Sequence, residues 1–215
     1  IQADEVTIAD STIEGFTANA GIRLLESTAT IRNTVFRDNK AGMELTANQT
    51  ENAVLIRDSQ FTGNTIGLKA DNAKNITVRD TVIEDSSETG IAISGGALRL
   101  DAVTVEAGGG DGLVIEGAVV IVRQSTIRGH TDAGVVVTSS SASLDLGNEM
   151  TPGNNEIRFN KGAGVHDKRP DGASGVITLR ETKCAFQKPP RGEYTGPSFR
   201  SYGMRIDNRN TITVY

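Results

Sequence analysis

The chain has 215 residues, of which 37% are hydrophobic and 24 are glycine, and it carries no tryptophan and one cysteine. This composition favours a single elongated domain with a slim core over two compact domains. The formal net charge of −5 provides no overall basic field for nucleic acid or anionic lipid, and one cysteine excludes an intrachain disulfide. The sequence contains no apolar run near the roughly 20 residues of a membrane-spanning helix.

Two short patterns alternate along the chain. The first is an apolar residue, an outward residue, a polar turn and a second apolar residue; its copies begin at Ile8, Ile31, Ile56, Val78, Leu100 and Val122. The second is a glycine followed by two apolar residues that flank one residue of variable type, called here the free position. Its copies begin at Gly21, Gly42, Gly67, Gly90, Gly112 and Gly134. The alternation within each pattern has period two and therefore predicts short strands.

The repeat predicts an all-β fold, a parallel β-helix (solenoid) of about eight coils with three short strands per coil. Equivalent inward positions then stack about 4.8 Å apart, so Ile, Val, Leu and Phe form ladders along a narrow core. Cys184 is expected in that core. The glycine before each triplet is expected to mark a bend that needs a positive φ or a close backbone approach.

Over about residues 6–183, this repeat resembles the right-handed parallel β-helix of the pectin-lyase-like superfamily. That superfamily includes polysaccharide lyases, hydrolases, epimerases and non-enzymatic surface proteins, so the resemblance implies a fold and not one activity. A later stretch, Leu146-Gly147 followed by Pro152-Gly153-Asn154-Asn155, resembles a motif of bacterial β-helix proteins of unassigned activity. This second resemblance implies a bacterial protein.

The ends of the chain are predicted to differ from the regular coils. We expect one domain over residues 1–215, with 185–215 as an irregular C-terminal capping region whose aromatic residues, Tyr194 and Phe199 among them, cover the end of the core. A carbohydrate-stacking platform is the alternative role for these aromatic residues. Ile1 leads almost directly into the first coil, and an uncapped solenoid exposes strand edges, so we expect the natural protein to continue before Ile1.

One outward strip beside the polar turn is rich in arginine. Its arginines are Arg32, Arg57, Arg79 and Arg123. Neighbouring guanidinium groups about 4.8 Å apart repel each other unless each finds an anion. Asp58 and Asp80 in the adjoining turns can supply one by internal pairing. The functional alternative is a ligand-binding ladder for the carboxylates, sulfates or phosphates of an acidic polysaccharide.

A second outward strip, the free position of the glycine triplets, changes character along the chain. It begins with Arg23, Glu44 and Lys69, whose alternating charges predict ion pairs between coils. It continues with Ala92, Val114 and Val136, a small apolar surface that is a candidate contact with another protein chain.

Candidates for catalysis are few. His130 is a candidate general base, with Asp132 as an orienting carboxylate and Arg128 close in sequence; a solvated loop is the alternative interpretation. The run 108–112, Gly-Gly-Gly-Asp-Gly, resembles half of a calcium-binding glycine-rich repeat, but such sites need tandem copies. We therefore expect no metal site and no cofactor, with calcium as the alternative.

The leading functional hypothesis is a non-catalytic, extracytoplasmic β-helix (secreted, periplasmic or on the cell surface) with a binding or structural role. Its ligand would be an acidic polysaccharide or another protein chain, and nucleic acid is not expected. The alternatives are a lyase or glycoside hydrolase on acidic polysaccharide, and a spike or fibre segment. Long loops around one groove are typical of the enzymes, whereas the longest regular join here is 46–52. Whether the protein is an enzyme and which oligomer it forms stay open.

Overall fold

The computed structural model describes residues 1, 4–46, 53–184, 191–195, 199–201, 203–206, 208 and 210–215. Within these residues the regular structure consists of β-strands. In chain order they are β1 (Glu5–Glu14), β2 (Ala20–Leu25), β3 (Thr28–Arg37), β4 (Ala41–Thr46), β5 (Val54–Arg57), β6 (Gln60–Thr62), β7 (Ile66–Asp71), β8 (Ile76–Arg79), β9 (Val82–Glu84), β10 (Thr89–Ser94), β11 (Ala97–Asp101), β12 (Thr104–Glu106), β13 (Leu113–Glu116), β14 (Val119–Arg123), β15 (Thr126–Arg128), β16 (Val135–Val137), β17 (Ser143–Leu146), β18 (Glu156–Arg158), β19 (Val165–Asp167), β20 (Ile177–Leu179), β21 (Lys183–Cys184), β22 (Gly192–Thr195), β23 (Phe199–Ser201), β24 (Met204–Ile206) and β25 (Thr211–Val214).

The strands stack as coils of a parallel β-helix. The third strand of each coil belongs to a nine-stranded sheet in the order β2-β4-β7-β10-β13-β16-β19-β24-β23, and the first and second strands share a 16-stranded sheet. Each coil pairs with the next in register, so Ile31 lies beside Ile8 and Ile56. The expected fold, with about eight coils and three strands per coil, is confirmed. In the first two coils the first and second strands run together as β1 and β3.

The core is the column of inward side chains predicted from the repeat. Residues at the first-strand position, such as Ile56, Val78 and Leu100, are fully buried. The rings of Phe36 and Phe61 stack with their centroids 4.6 Å apart on adjacent coils. Burial of each such side chain contributes about 1.5–3 kcal/mol, so stability is distributed along the length of the solenoid.

A hydroxyl ladder builds the turn between the first and second strands. Asp58 takes a left-handed φ of +49°. Ser59 follows it, and its Oγ donates a hydrogen bond to the Arg57 carbonyl at 2.7 Å while accepting the Thr34 N–H at 3.2 Å. Thr81 occupies the equivalent position one coil later and makes the same carbonyl contact. Where the Asp/Asn-Ser/Thr pair occurs, it therefore bends the coil and also joins it to the neighbouring one; Ala102-Val103 takes the same place in one coil without a hydroxyl.

A second polar ladder lines the turn before the third strand. The side-chain oxygen of Asn64 accepts a hydrogen bond from the backbone N–H of Asn39 at 3.0 Å. The side-chain NH2 group of Asn64 donates to the backbone carbonyl of Phe36 at 2.9 Å. Three coils later His130 takes this position, and its backbone N–H donates to the side-chain oxygen of Asn160 at 3.1 Å. These side chains satisfy backbone groups that the turn removes from the sheets.

The glycines that begin the third strands are explained by close approach. The backbone at these positions, from Gly21 to Gly164, is not left-handed. A Cβ on Gly90 would lie 2.5 Å from Val105 Cγ1 and 2.6 Å from the Gly112 carbonyl oxygen. Any larger residue would push apart the second strand and the neighbouring coil, so packing, and not a positive φ, selects glycine here.

Both sheets end in antiparallel strands near the C-terminus. β22 pairs antiparallel with β25, and β23 pairs antiparallel with β24. Reversing the strand direction interrupts the parallel stacking at that end of both sheets. Tyr194 packs against the core, whereas the side chain of Phe199 lies outside the described residues. No helix in the described ranges is long and apolar enough to cross a membrane.

Candidate functional site: outward faces of the solenoid

Three of the four predicted ligand-binding arginines form an exposed row. Arg32, Arg57 and Arg79 occupy the same register position on consecutive coils. Each has one aspartate partner: Arg32–Asp10 at 3.2 Å, Arg57–Asp58 at 2.5 Å and Arg79–Asp80 at 3.4 Å. The internal pairing predicted for Asp58 and Asp80 is therefore present, and the row is electrically balanced. Exposed pairs of this kind contribute about 0–1 kcal/mol each.

Arg123 differs from the other three arginines because it is only 5% exposed. Its guanidinium donates to the Asp145 carboxylate at 2.7 Å and to the Asp145 carbonyl at 2.8 Å. Burial alone would raise the pKa of Asp145, but hydrogen bonds from Arg123, the Gly147 N–H and Asn148 outweigh it and lower the pKa. Arg123 thus anchors the start of the 147–153 segment instead of facing a ligand.

The Pro-Gly-Asn-Asn motif is part of the same local structure. Asn155 replaces a hydroxyl residue in the first-turn ladder, accepting the Ser125 N–H at 3.0 Å and donating to the Val122 carbonyl at 2.9 Å. The Gly153 N–H donates to the Arg180 carbonyl at 2.7 Å. Glycine is required at 153 because a Cβ there would overlap the Leu146 carbonyl oxygen. The motif allows the chain to rejoin the solenoid after an insertion.

The apolar strip is smaller than its sequence indicates. Ala92, Val114 and Val136 are neighbours in register on consecutive coils, as predicted. Val136 is only 2% exposed, whereas Ala92 and Val114 are half-buried. The accessible apolar surface of this strip therefore consists of two small side chains.

His130 lies inside the protein. The residue is 1% exposed and its Nε2 lies 3.2 Å from the Val105 carbonyl oxygen. Burial lowers the pKa of the imidazole. Asp132 is exposed, and Arg128 pairs with Glu106 at 2.6 Å. None of the hydrogen bonds or ion pairs of the described residues joins His130 to either of its two sequence-predicted companions.

The glycine-rich run serves the packing of His130. A Cβ on Gly108 would lie 2.5 Å from His130 Nδ1, and a Cβ on Gly112 would lie 2.8 Å from Nε2. The carboxylate in this run, Asp111, accepts the Ala133 N–H at 2.8 Å. In the described part of the chain, no three His, Cys, Asp or Glu side chains converge as metal ligands.

A basic groove crosses the third strands of the first three coils. This groove has a volume of about 280 Å³ and is lined by Arg23, Lys40 and Lys69, with Glu44 as the lining carboxylate. Glu44 contacts Arg23 at 2.6 Å and Lys69 at 3.1 Å, which confirms the predicted pairing between coils. Burial raises the pKa of Glu44, but these two cations outweigh it and the pKa is lowered.

Lys40 is the member of the basic groove that sequence reasoning missed. It lies in the turn before β4, has an exposed side chain and makes no ion pair with any described residue. Lys69 also contacts Asp71 at 3.3 Å. The repeat could have revealed Lys40 only by mapping turn residues as well as strand residues onto the coils.

The stacked coils define a parallel β-solenoid. A family model described as a right handed beta helix region matches residues 1–157. The chain therefore belongs to the right-handed β-helix family. Neither the search of curated proteins nor the search of solved structures found a match. Residues 47–52, which form most of the longest predicted join, lie outside the described residues.

Proposed function

We propose that this chain is an extracytoplasmic, non-catalytic binding protein that holds an acidic polysaccharide along the basic groove. The observation that carries the proposal is the charge of the groove, in which three cations, Arg23, Lys40 and Lys69, outnumber the two carboxylates that pair with them, Glu44 and Asp71. The surplus of positive charge lies on one side of a chain whose net charge is −5. An anionic polymer is therefore attracted to this face and repelled from most of the remaining surface.

The geometry of the groove favours a repeating ligand. Arg23, Glu44 and Lys69 lie at one register position on consecutive coils, so the two cations of this row are two coils, about 10 Å, apart with Glu44 between them. Glu44 holds the two neighbouring cations in place, and Lys40 offers an ammonium group that makes no ion pair with any described residue. A polymer with several carboxylates or sulfates along its length can contact Arg23, Lys40 and Lys69 together, which a single small anion cannot do.

Other features of the chain favour binding over turnover. The candidate general base His130 is buried in a structural ladder, whereas glycoside hydrolysis needs two accessible carboxyl groups about 5–10 Å apart across the bond. The balanced arginine row offers less net attraction to anions than the basic groove does. The partly buried apolar strip offers little area to a protein partner.

The test is the affinity for polygalacturonate and for heparin at low and moderate salt. Replacing Arg23, Lys40 and Lys69 by alanine is expected to weaken binding by about tenfold or more and to reduce its salt dependence. The matched control removes three exposed lysines elsewhere, Lys74, Lys161 and Lys168, and should change affinity little.

Two results would overturn the proposal. The first is a failure of the binding test, which means either that neither polymer binds the unmodified chain or that the groove variant and the control variant lose the same affinity. The other is steady accumulation of unsaturated uronate or of new reducing ends, which would make the protein a lyase or hydrolase. A double Arg57→Ala, Arg79→Ala variant tests the arginine row. We expect it to lose less affinity than the groove variant because each arginine of the row is matched by one aspartate, whereas the groove has one more cation than carboxylates.

A further inference from the structure

One turn position in the solenoid carries an unusual residue. Two residues after the inward residue of each second strand, the backbone is left-handed in every coil from the first to the seventh. The residues there are Gly15, Asp38, Gly63, Asp85, Ala107, Gly129 and Phe159. Six of the seven are small or acidic, but Phe159 has a φ of +60° and is 56% exposed.

This placement of Phe159 is unfavourable for stability. A bulky side chain rarely adopts a positive φ, and here the ring gains little burial in return. Backbone strain of this kind concentrates at binding and catalytic sites. The solenoid also accommodates Ala107 at the equivalent position two coils earlier, so the turn does not need an aromatic residue.

A polar groove lies beside β18, the strand that ends immediately before Phe159. It has a volume of about 330 Å³ and is lined by Thr126, Asn154, Asn155, Glu156, Glu181 and Lys183. Among these residues, Thr126, Glu156 and Lys183 occupy one outward register position on consecutive coils, directly side by side.

Arg158 joins the ring to the groove. Its guanidinium carbon lies 4.8 Å from the centroid of the Phe159 ring. Its NH2 group lies 2.8 Å from Glu156 Oε2, and Lys183 lies 3.9 Å from the other oxygen of the same carboxylate. The ring, Arg158 and the groove therefore form one continuous surface, the Phe159 surface, on the 16-stranded sheet. The basic groove belongs to the other sheet.

The chemistry of the Phe159 surface matches a hydroxyl-rich neutral ligand. Carboxylate and amide oxygens accept hydrogen bonds from hydroxyl groups, and Thr126, Asn154 and Lys183 can donate to them. The two carboxylates are balanced by Lys183 and Arg158, so there is no net attraction for a polyanion. An exposed aromatic ring beside such a groove offers an apolar face to the C–H side of a sugar ring.

We propose that the Phe159 surface binds a neutral sugar residue, with the ring stacked on Phe159 and the hydroxyl groups bonded in the groove. The experiment titrates the full chain with cellohexaose, laminarihexaose, mannohexaose and xylohexaose, using calorimetry and saturation-transfer NMR. At least one of these should bind. Phe159→Ala and Glu156→Gln should each weaken that binding about tenfold, whereas Phe159→Tyr, which keeps an aromatic ring, should retain it.

The controls separate binding from folding. Phe16→Ala removes a second phenylalanine that is strongly exposed among the described residues, 49% exposed at the first coil, and should leave sugar binding unchanged. Phe159→Gly should fold at least as stably as the unmodified chain, because glycine accepts the positive φ, and should still lose binding.

The proposal fails if none of the four hexasaccharides binds, or if Phe159→Gly binds as well as the unmodified chain. It also fails if polygalacturonate binding is lost in Phe159→Ala and kept when Arg23 and Lys69 are replaced, since the Phe159 surface would then hold the acidic polymer. That last outcome would refute the proposed function as well, whereas a failure to bind neutral sugars leaves the basic groove untouched.

Discussion

A buried ion pair, Asp167–Arg169, offers a stringent test of the structure. Both side chains are fully buried. Arg169 donates to the two carboxylate oxygens of Asp167 at 2.9 and 2.8 Å, and also to the Gly175 carbonyl at 2.6 Å. Asp167 occupies an inward position of the nine-stranded sheet, where its neighbours on the adjacent coils are Val137 and Ile206. The pair thus replaces one rung of an otherwise apolar ladder.

Replacing Arg169 by methionine leaves the Asp167 carboxylate buried without its cation. We expect a loss of about 3–5 kcal/mol in the free energy of unfolding, the usual cost of removing one member of a buried pair. For a chain of this length, that loss lowers the melting temperature by about 6–20 °C. The double variant Asp167→Val, Arg169→Met should lose less than the single variant, because it buries no isolated charge.

Urea unfolding followed by circular dichroism measures these free energies. The control is Lys168→Ala, which removes an exposed cation from the same segment and should change stability by less than about 0.5 kcal/mol. The reasoning is refuted if Arg169→Met lowers the free energy of unfolding by less than about 1 kcal/mol. It is also refuted if the loss in the double variant equals the sum of the losses in the single variants Asp167→Val and Arg169→Met.

Three further predictions concern glycine packing, the buried histidine and the buried cysteine. Gly90→Ala should destabilise the chain by about 1–3 kcal/mol or more through overpacking. At Gly172 a Cβ meets nothing within 4 Å but φ is +73°, so Gly172→Ala measures the cost of a left-handed alanine alone. Urea midpoints compare each variant with the unmodified chain, and an unchanged midpoint for Gly90→Ala would contradict the packing role of the third-strand glycines. Burial lowers the pKa of His130, so the unfolded chain binds a proton that the folded chain refuses, and stability should fall as the pH drops below about 6.5. His130→Asn should flatten that dependence in urea titrations at several pH values, and an unchanged slope would argue against it. Burial also raises the pKa of Cys184 to about 12, so a thiol reagent should modify the unfolded protein and leave the native protein unmodified; rapid native labelling would place Cys184 outside the core.

Much of the fold could be predicted because a solenoid is nearly one-dimensional. Each coil contacts only its neighbours, so the spacing from Ile31 to Ile56 to Val78 already specifies which residues stack. Period-two alternation then assigns inward and outward sides. The same reasoning placed Arg32, Arg57 and Arg79 in one row and predicted Asp58 and Asp80 as partners, but it did not predict the Asp10 partner of Arg32.

Residues with equal places in the repeat nevertheless have different environments. Arg123 and Arg57 occupy equivalent positions, but Arg123 is buried against Asp145 on the next coil, whose carboxylate also accepts hydrogen bonds from the Gly147 N–H and the Asn148 side chain. The sequence around His130 is typical of a polar loop. The imidazole ring is nevertheless buried, because Gly108 and Gly112 have no side chains and leave space for it. Insertions and missing side chains change burial without changing the repeat.

The sequence by itself determined the coil, its register and the sides that face the core and the solvent, because those properties depend on contacts between residues about 22 positions apart in a regular pattern. Only the tertiary structure decided which polar side chains are available to a ligand. Lys40 joins Arg23 and Lys69 because turns from different coils converge, and Phe159 meets the groove because Arg158 bridges the ring and Glu156. The exposure of a side chain and the balance of charge around it depend on all the residues that surround it in space. The sequence repeat specifies only which residues stack between coils, so it does not determine these two properties.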